Sequence, residues 1–178
     1  PGFQQQGVEL ILKTLRESRE PVEIVSFGSA RPIAVAYNRE PKLLAKKVRR
    51  IHLCAGSSDS SYLEWNVALD PQAIVCLLRS RLPLAIYPCA TRDGPFAYGP
   101  HNCFWRLPDL RFVEQMAPSL RRYLGHAFSR SSRVDFLRAL EEDLPADTMQ
   151  RITSQSHNVW ETAVWLNVSG RKLVKRAD

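Results

Sequence analysis

No stretch of this sequence stays apolar long enough to cross a bilayer, which excludes a membrane-spanning helix. The opening residues PGFQQQGVEL carry neither a basic start nor an apolar core, so they do not form a secretory signal peptide. An initiator methionine is missing too, and the expectation is a processed or truncated chain. The four cysteines, Cys54, Cys76, Cys89 and Cys103, show no CxxC spacing and no histidine pairs at zinc intervals, so a zinc site is not expected. Three of them lie in or beside the apolar runs IHLC, AIVCLL and LAIYPC. That is the pattern of buried free thiols in a reducing compartment, which makes a cytoplasmic location the expectation. Asn-Val-Ser at 167–169 matches a glycosylation sequon, but nothing else argues for secretion. Internal repeats and low-complexity tracts are also missing.

Positive charge is present in excess: Lys and Arg number 25 against 18 Asp and Glu, a net charge of +7 with a pI near 9.5. It gathers in KKVRR at 46–50 and in the spread Arg121, Arg122, Arg130, Arg133 and Arg138. Neither group is interleaved with the aromatics of a single-strand stacking platform. A solvated basic face is therefore the expectation, and a nucleic-acid partner is not. The 178 residues, 44% hydrophobic and 24% charged, suffice for one domain with a substantial core.

Along the chain, residues 7–18 place Val8, Ile11, Leu12 and Leu15 on one helical face. Strands are expected at Val22–Phe27, Arg50–Cys54 and Leu84–Tyr87, separated by the helical pieces PIAVAYN, PKLLAKKV and PQAIVCLLRSR. Nearly continuous apolar strands linked by helices predict an α/β fold, a mostly parallel sheet with helices on both faces. Ligands of such sheets bind at the carboxyl ends of the strands. Gly28, Ala55-Gly56 and Cys89-Ala90-Thr91 fall there. Residues 91–109, rich in Gly, Pro and aromatics, read as a long ordered loop. Helical patterns follow over 109–128, 133–144 and 159–168, forming a helical cap within the same single domain, 1–178.

The segment LEWNVALDPQAI at 63–74 sets Glu64 and Asn66 two positions apart around Trp65. In an extended backbone the two polar side chains share a face and Trp65 takes the other, toward the core. Asp70 and Pro71 then mark a helix start, Asp as N-cap and Pro at the first helical position. The same pattern describes either a sugar-contacting pair or a capped turn with two solvated polar groups, and spacing alone does not choose.

Taken in order, VEIVSFGSARPIAVAYNREP, VRRIHLCAG, LEWNVALDPQAI and LPLAIYPCAT resemble the inosine-uridine preferring nucleoside hydrolase family. The likeness covers residues 7–91 closely and 157–166 more loosely. It implies an N-ribohydrolase that cleaves the N-glycosidic bond of ribonucleosides with a calcium-bound water. The alternative it leaves open is a non-catalytic sugar- or nucleoside-binding relative. Carried over residue by residue, Glu64 and Asn66 fall where the family grips ribose hydroxyls, and Cys54 stands for a methionine near the sugar. Phe27 aligns with a threonine whose backbone carbonyl ligates the metal, and the Thr-Asn of the next turn reads Arg31-Pro32. The family's late His-Asp pair, leaving-group acid and metal ligand, aligns with Trp160-Glu161. Glu161 would then be a metal ligand and Trp160 a base-stacking group. His157-Asn158 is a second register, with His157 as the acid and Asn158 as the ligand. His101 is a further candidate acid.

The family's opening aspartate cluster, Asp-x-Asp-x-Gly-x-Asp-Asp, has no counterpart here. The densest acids, Glu141-Glu142-Asp143, fall on a helix expected to be exposed. Calcium is thus expected with its main ligands outside this chain. The expected partners are a riboside and either an N-terminal fragment or a second copy covering the sheet edge.

Overall fold

The computed structural model describes residues 2–59, 61–102, 104–129, 134–172 and 174. Cys103, Arg130 and Arg133 lie outside the described residues. Two compact units form, Pro1–Phe104 with Trp160–Asp178, and Trp105–Val159.

In the first unit, helix α1 (Gly2–Glu17) precedes strand β1 (Val22–Ser26). Then come α2 (Arg31–Arg39), α3 (Pro41–Lys47) and β2 (Val48–Cys54). A short α4 (Trp65–Ala68), α5 (Pro71–Arg79) and β3 (Leu84–Tyr87) follow. Proline sits in the first turn of α2, α3 and α5, where its missing N–H has no intrahelical acceptor to lose. Pro41 therefore ends one helix and opens the next.

The strands form one parallel sheet in the order β1-β2-β3, with Ile24, Ile51 and Leu84 in register. Strands added in sequence order through right-handed crossovers put their connections on one face. Alternation sorts the side chains accordingly. Ile24, Ile51, Leu53 and Leu84 join Leu12, Leu15, Leu44 and Leu77 of α1, α3 and α5 in the main core. Val25, Cys54 and Tyr87 point the other way, where Val164 of α9 (Thr162–Val168), Cys89 and Trp160 pack on them. Helices cover both faces: α1, α2, α3 and α5 pack on one and α9 on the other. The periodicity expected of α1 is realised: Val8, Leu12 and Leu15 are buried, with Ile11 packed beside them.

The second unit pairs β4 (Trp105–Leu107) antiparallel with β5 (His157–Val159). Between them lie a 3-10 turn at Arg111–Gln115, α6 (Pro118–Phe128), α7 (Phe136–Ala139) and α8 (Ala146–Thr153). The helix expected over 109–128 breaks because Ala117, preceding Pro118, is extended with φ −53° and ψ 142°. The pattern at 133–144 shrinks to α7, β4 arises within the loop expected over 91–109, and α8 and β5 form where no element was expected. Basic residues here are matched by acids: Arg122 and Arg121 meet Asp143 at 3.0 and 3.5 Å, and Arg138 meets Glu142 at 3.2 Å. Among the described residues, no helix is long and apolar enough to cross a membrane.

Candidate functional site

The carboxyl ends of β2 and β3 gather most of the expected polar groups. Gly56, just past β2, has φ 93°, a conformation glycine adopts without strain, and its N–H donates to Glu64 Oε2 at 2.9 Å. The same carboxylate accepts from Asn66 N–H at 3.0 Å and Val67 N–H at 3.2 Å. Glu64 is therefore the N-cap of α4 and is 5% exposed. Asn66 turns its Nδ2 to the Cys54 carbonyl at 2.9 Å. Both residues thus tie the start of α4 to the end of β2.

This arrangement corrects the expected alternation around Trp65. Once Glu64 caps a helix, residues advance by a helical step instead of switching faces, and Trp65 emerges 72% exposed. The expected buried indole is absent. Asp70 behaves as anticipated, capping α5 by accepting from Ala73 N–H at 3.1 Å. Arg31, the first residue of α2, donates from Nε to Asp70 Oδ2 at 2.6 Å.

Cys54 and Cys89 are buried and free, with their Sγ atoms 3.4 Å apart. The hydrogen bond with Cys54 and burial push the Cys89 thiol far above the usual cysteine range. The charges of Glu64 and Glu161 push it the same way, so both carboxylates act on this sulfur. Glu161 is half-buried at the N-terminus of α9, its carbonyl accepting from Val164 and Trp165.

Trp160 is held as a packing residue. Its indole N–H donates to the Pro95 carbonyl at 2.9 Å, and its ring meets Phe96 and Phe104 at centroid distances of 5.9 and 6.1 Å. Phe27 follows β1, partly exposed, its ring 5.4 Å from that of Trp165. His101 lines a small cleft of about 130 Å³ with Ile86, Tyr87, Pro88 and Ala163. His157 and Asn158 belong to the other unit, on β5. There His157 meets the Phe128 ring edge-on at 5.0 Å, and buried Asn158 accepts from Arg106 Nε at 3.1 Å. A larger cleft of about 460 Å³, lined by Gln5, Val8, Arg31, Val35 and Leu69 among others, contains none of the expected site residues.

One cluster lay beyond the sequence reading. Buried His52 shares a hydrogen bond with the Tyr87 hydroxyl through Nδ1 at 2.9 Å, and Asn167 Nδ2 donates to that hydroxyl at 2.6 Å. His52 Nε2 lies 3.4 Å from Glu23 Oε2, without hydrogen-bond geometry. Burial raises the Tyr87 hydroxyl above the ordinary phenol range, and Asn167 partly opposes this. The available signal was the i, i+2 relation of His52 to Cys54 on one strand.

Calcium takes six to eight oxygen ligands. Among the described residues, no three His, Cys, Asp or Glu come together to hold a metal. The groups beside Glu64 include two sulfurs, which are poor partners for a hard cation. The described residues do not by themselves make up a calcium site.

A pyrimidine-specific ribonucleoside hydrolase RihA of Escherichia coli O127:H6 is 37% identical over 93 residues, 48% of this chain and 30% of that protein. The RihA proteins of Salmonella agona and Salmonella paratyphi A match with the same identity and coverage. The chain thus matches less than a third of the length of these relatives. An inosine-uridine preferring nucleoside hydrolase of Bacillus anthracis superposes with TM-score 0.41 at 17% identity, over 75% of this chain and 41% of that one. The sequence model of one family, the inosine-uridine preferring nucleoside hydrolases, matches residues 2–160. On that match, which takes in the whole second unit and the first as far as Trp160, the chain belongs to the inosine-uridine preferring nucleoside hydrolase family.

Proposed function

We propose that this chain serves the hydrolysis of the N-glycosidic bond of ribonucleosides by holding the ribose at the carboxyl ends of β2 and β3. The observation that carries the reading is the buried carboxylate of Glu64, fixed by three backbone N–H groups beside Asn66. An ionised carboxylate has about four lone-pair sites, so three such bonds leave one for a sugar hydroxyl. Asn66 keeps an acceptor oxygen and a second N–H beyond the bond it gives to Cys54. An acceptor and a donor–acceptor group held rigidly side by side suit the vicinal hydroxyls of a ribose.

In this reading Glu161 and the Phe27 carbonyl are what the chain offers to a calcium ion whose other ligands lie elsewhere. The RihA relatives are named for pyrimidine ribonucleosides, so uridine and cytidine are the first substrates to try, with inosine beside them.

A second reading, riboside binding without cleavage, draws on Trp160. Its indole N–H is too weak an acid to protonate a departing base and already donates to the Pro95 carbonyl. Free ribose and riboside binding should be measured together, with calcium supplied, on the full-length protein that carries this chain and on its Glu64→Gln and Asn66→Ala variants. The hydrolase reading expects ribose release that both variants weaken. Saturable binding with no ribose released would favour the second reading, and the absence of both would end the two together.

A further inference from the structure

Two sulfurs lie side by side where the ends of β2 and β3 meet. Cys54 is the last residue of β2, and Cys89 stands two residues beyond β3. Both are free and buried, and their Sγ atoms are 3.4 Å apart. The backbone holds them in this relation. Cys54 is in register with Tyr87, Ala55 N–H donates to the Tyr87 carbonyl at 3.2 Å, and Cys89 N–H donates to the Gly56 carbonyl at 2.9 Å.

We propose that Cys54 and Cys89 form a site of reversible oxidative modification, closing to a disulfide with a peroxide and reopening with a thiol reductant. Closure brings the sulfurs from 3.4 Å to about 2.0 Å, a movement on the scale of small side-chain rotations. With hydrogen peroxide, one sulfur attacks a peroxide oxygen as its thiolate. An S–O bond forms, the O–O bond breaks, and the departing hydroxide takes up the thiol proton as water. The second sulfur then attacks the first: the S–S bond forms, the S–O bond breaks, and water leaves with the second thiol's proton. Two thiols lose two electrons and two protons, and peroxide is reduced to two waters.

The adjacent Cys54 sulfur, burial and two nearby carboxylates hold Cys89 protonated, so the first step lacks an activated thiolate there and is slow. The second step is favoured by proximity, because the resolving sulfur is already in contact. This chemistry does not depend on what the strand ends bind. Its consequence is structural: the bond would join the ends of β2 and β3 beside the Cys54 carbonyl that holds Asn66.

The test uses the whole chain carrying Cys76→Ser. Cys76 is half-buried with its Sγ 3.5 Å from Asn38 Oδ1, and replacing it leaves Cys54 as the one cysteine in the tryptic peptide 51–79. After native treatment with hydrogen peroxide, alkylation and digestion, peptides 51–79 and 82–92 should appear linked, lighter by two hydrogens. Dithiothreitol should separate them, and adding Cys89→Ala should abolish the link. Recovery of both peptides unlinked, while methionines in the same sample have become sulfoxides, would overturn the proposal. A link from either cysteine to Cys103 instead would overturn it too.

Discussion

A carboxylate that accepts three backbone N–H bonds anchors its surroundings, and Glu64 holds that position between Gly56 and the first turn of α4. Removing a buried acceptor strands its donors, so Glu64→Ala should cost about 1–3 kcal/mol of stability. Trp65, its neighbour, stands in solvent, and Trp65→Ala should change stability by no more than about 0.5 kcal/mol. Urea denaturation of the two variants checks both, and a larger loss for Trp65→Ala would mean the indole is buried after all. Asp70 adds a pH dependence. The Arg31 guanidinium, then the Ala73 N–H, hold its carboxyl below the usual carboxylate range. A lowered folded-state value contributes stability that is complete above the unfolded value near about 3.9 and is lost as pH falls through the folded one. Asp70→Asn keeps the cap but not the charge, so its stability should fall less steeply than the parent's below about pH 4. Equal acid slopes in denaturation series would remove Asp70 from that account.

Among elements, the turn-rich stretch after β3 is fixed by close packing as well as by hydrogen bonds. Asn102 holds it from within, donating to the Ala97 carbonyl at 2.9 Å and accepting from Gly99 N–H at 2.7 Å. A Cβ added at Gly99 would lie 2.4 Å from Thr91 Cγ2 and 3.3 Å from Thr91 Cβ, and Thr91 is buried. Gly99→Ala should therefore destabilise by about 1–3 kcal/mol. Thr91→Ser removes the nearer carbon, so the double variant should lose less than the two single losses combined. Strict additivity in melting experiments would show that the contact is not the cause. The elements themselves differ in how legible they were. β1, β2 and β3 were readable because each is a β-branched or apolar run bounded by Gly, Pro or a basic step. β4 and β5 were not, since three residues carry too little periodicity to signal a strand.

For the whole molecule, the sheet order leaves one edge of β1 and one edge of β3 unpaired among the described residues. Ile86 on β3 is 48% exposed, and Phe27 beyond β1 is 39% exposed. Unpaired edges beside apolar side chains invite further pairing. The chain by itself is expected to associate, with a second copy or with a fragment that continues the sheet. Light scattering across a concentration series would read this, and a monodisperse monomer at every concentration would refute it. The net charge of +7 does not make the proposed riboside site electrostatic. Riboside affinity should change less than about twofold between low and high salt, whereas a phosphate-contacting site would weaken by orders of magnitude.

The sequence by itself determined the three strands and their parallel sheet, the Asp70-Pro71 helix start and the family. Each of these is written in neighbouring residues, as a period, a cap or a turn. Tertiary structure decided the rest. Trp65 is exposed because Gly56, eight residues before Glu64, reaches its carboxylate and completes a cap that ends the extended backbone. His52 meets Tyr87 across 35 residues and Asn167 meets Tyr87 across 80, distances over which no local pattern persists. The sulfurs of Cys54 and Cys89 likewise touch only because β2 and β3 lie in one particular register. Each such pairing is made by the sheet, and a sheet's register is a property of the folded chain.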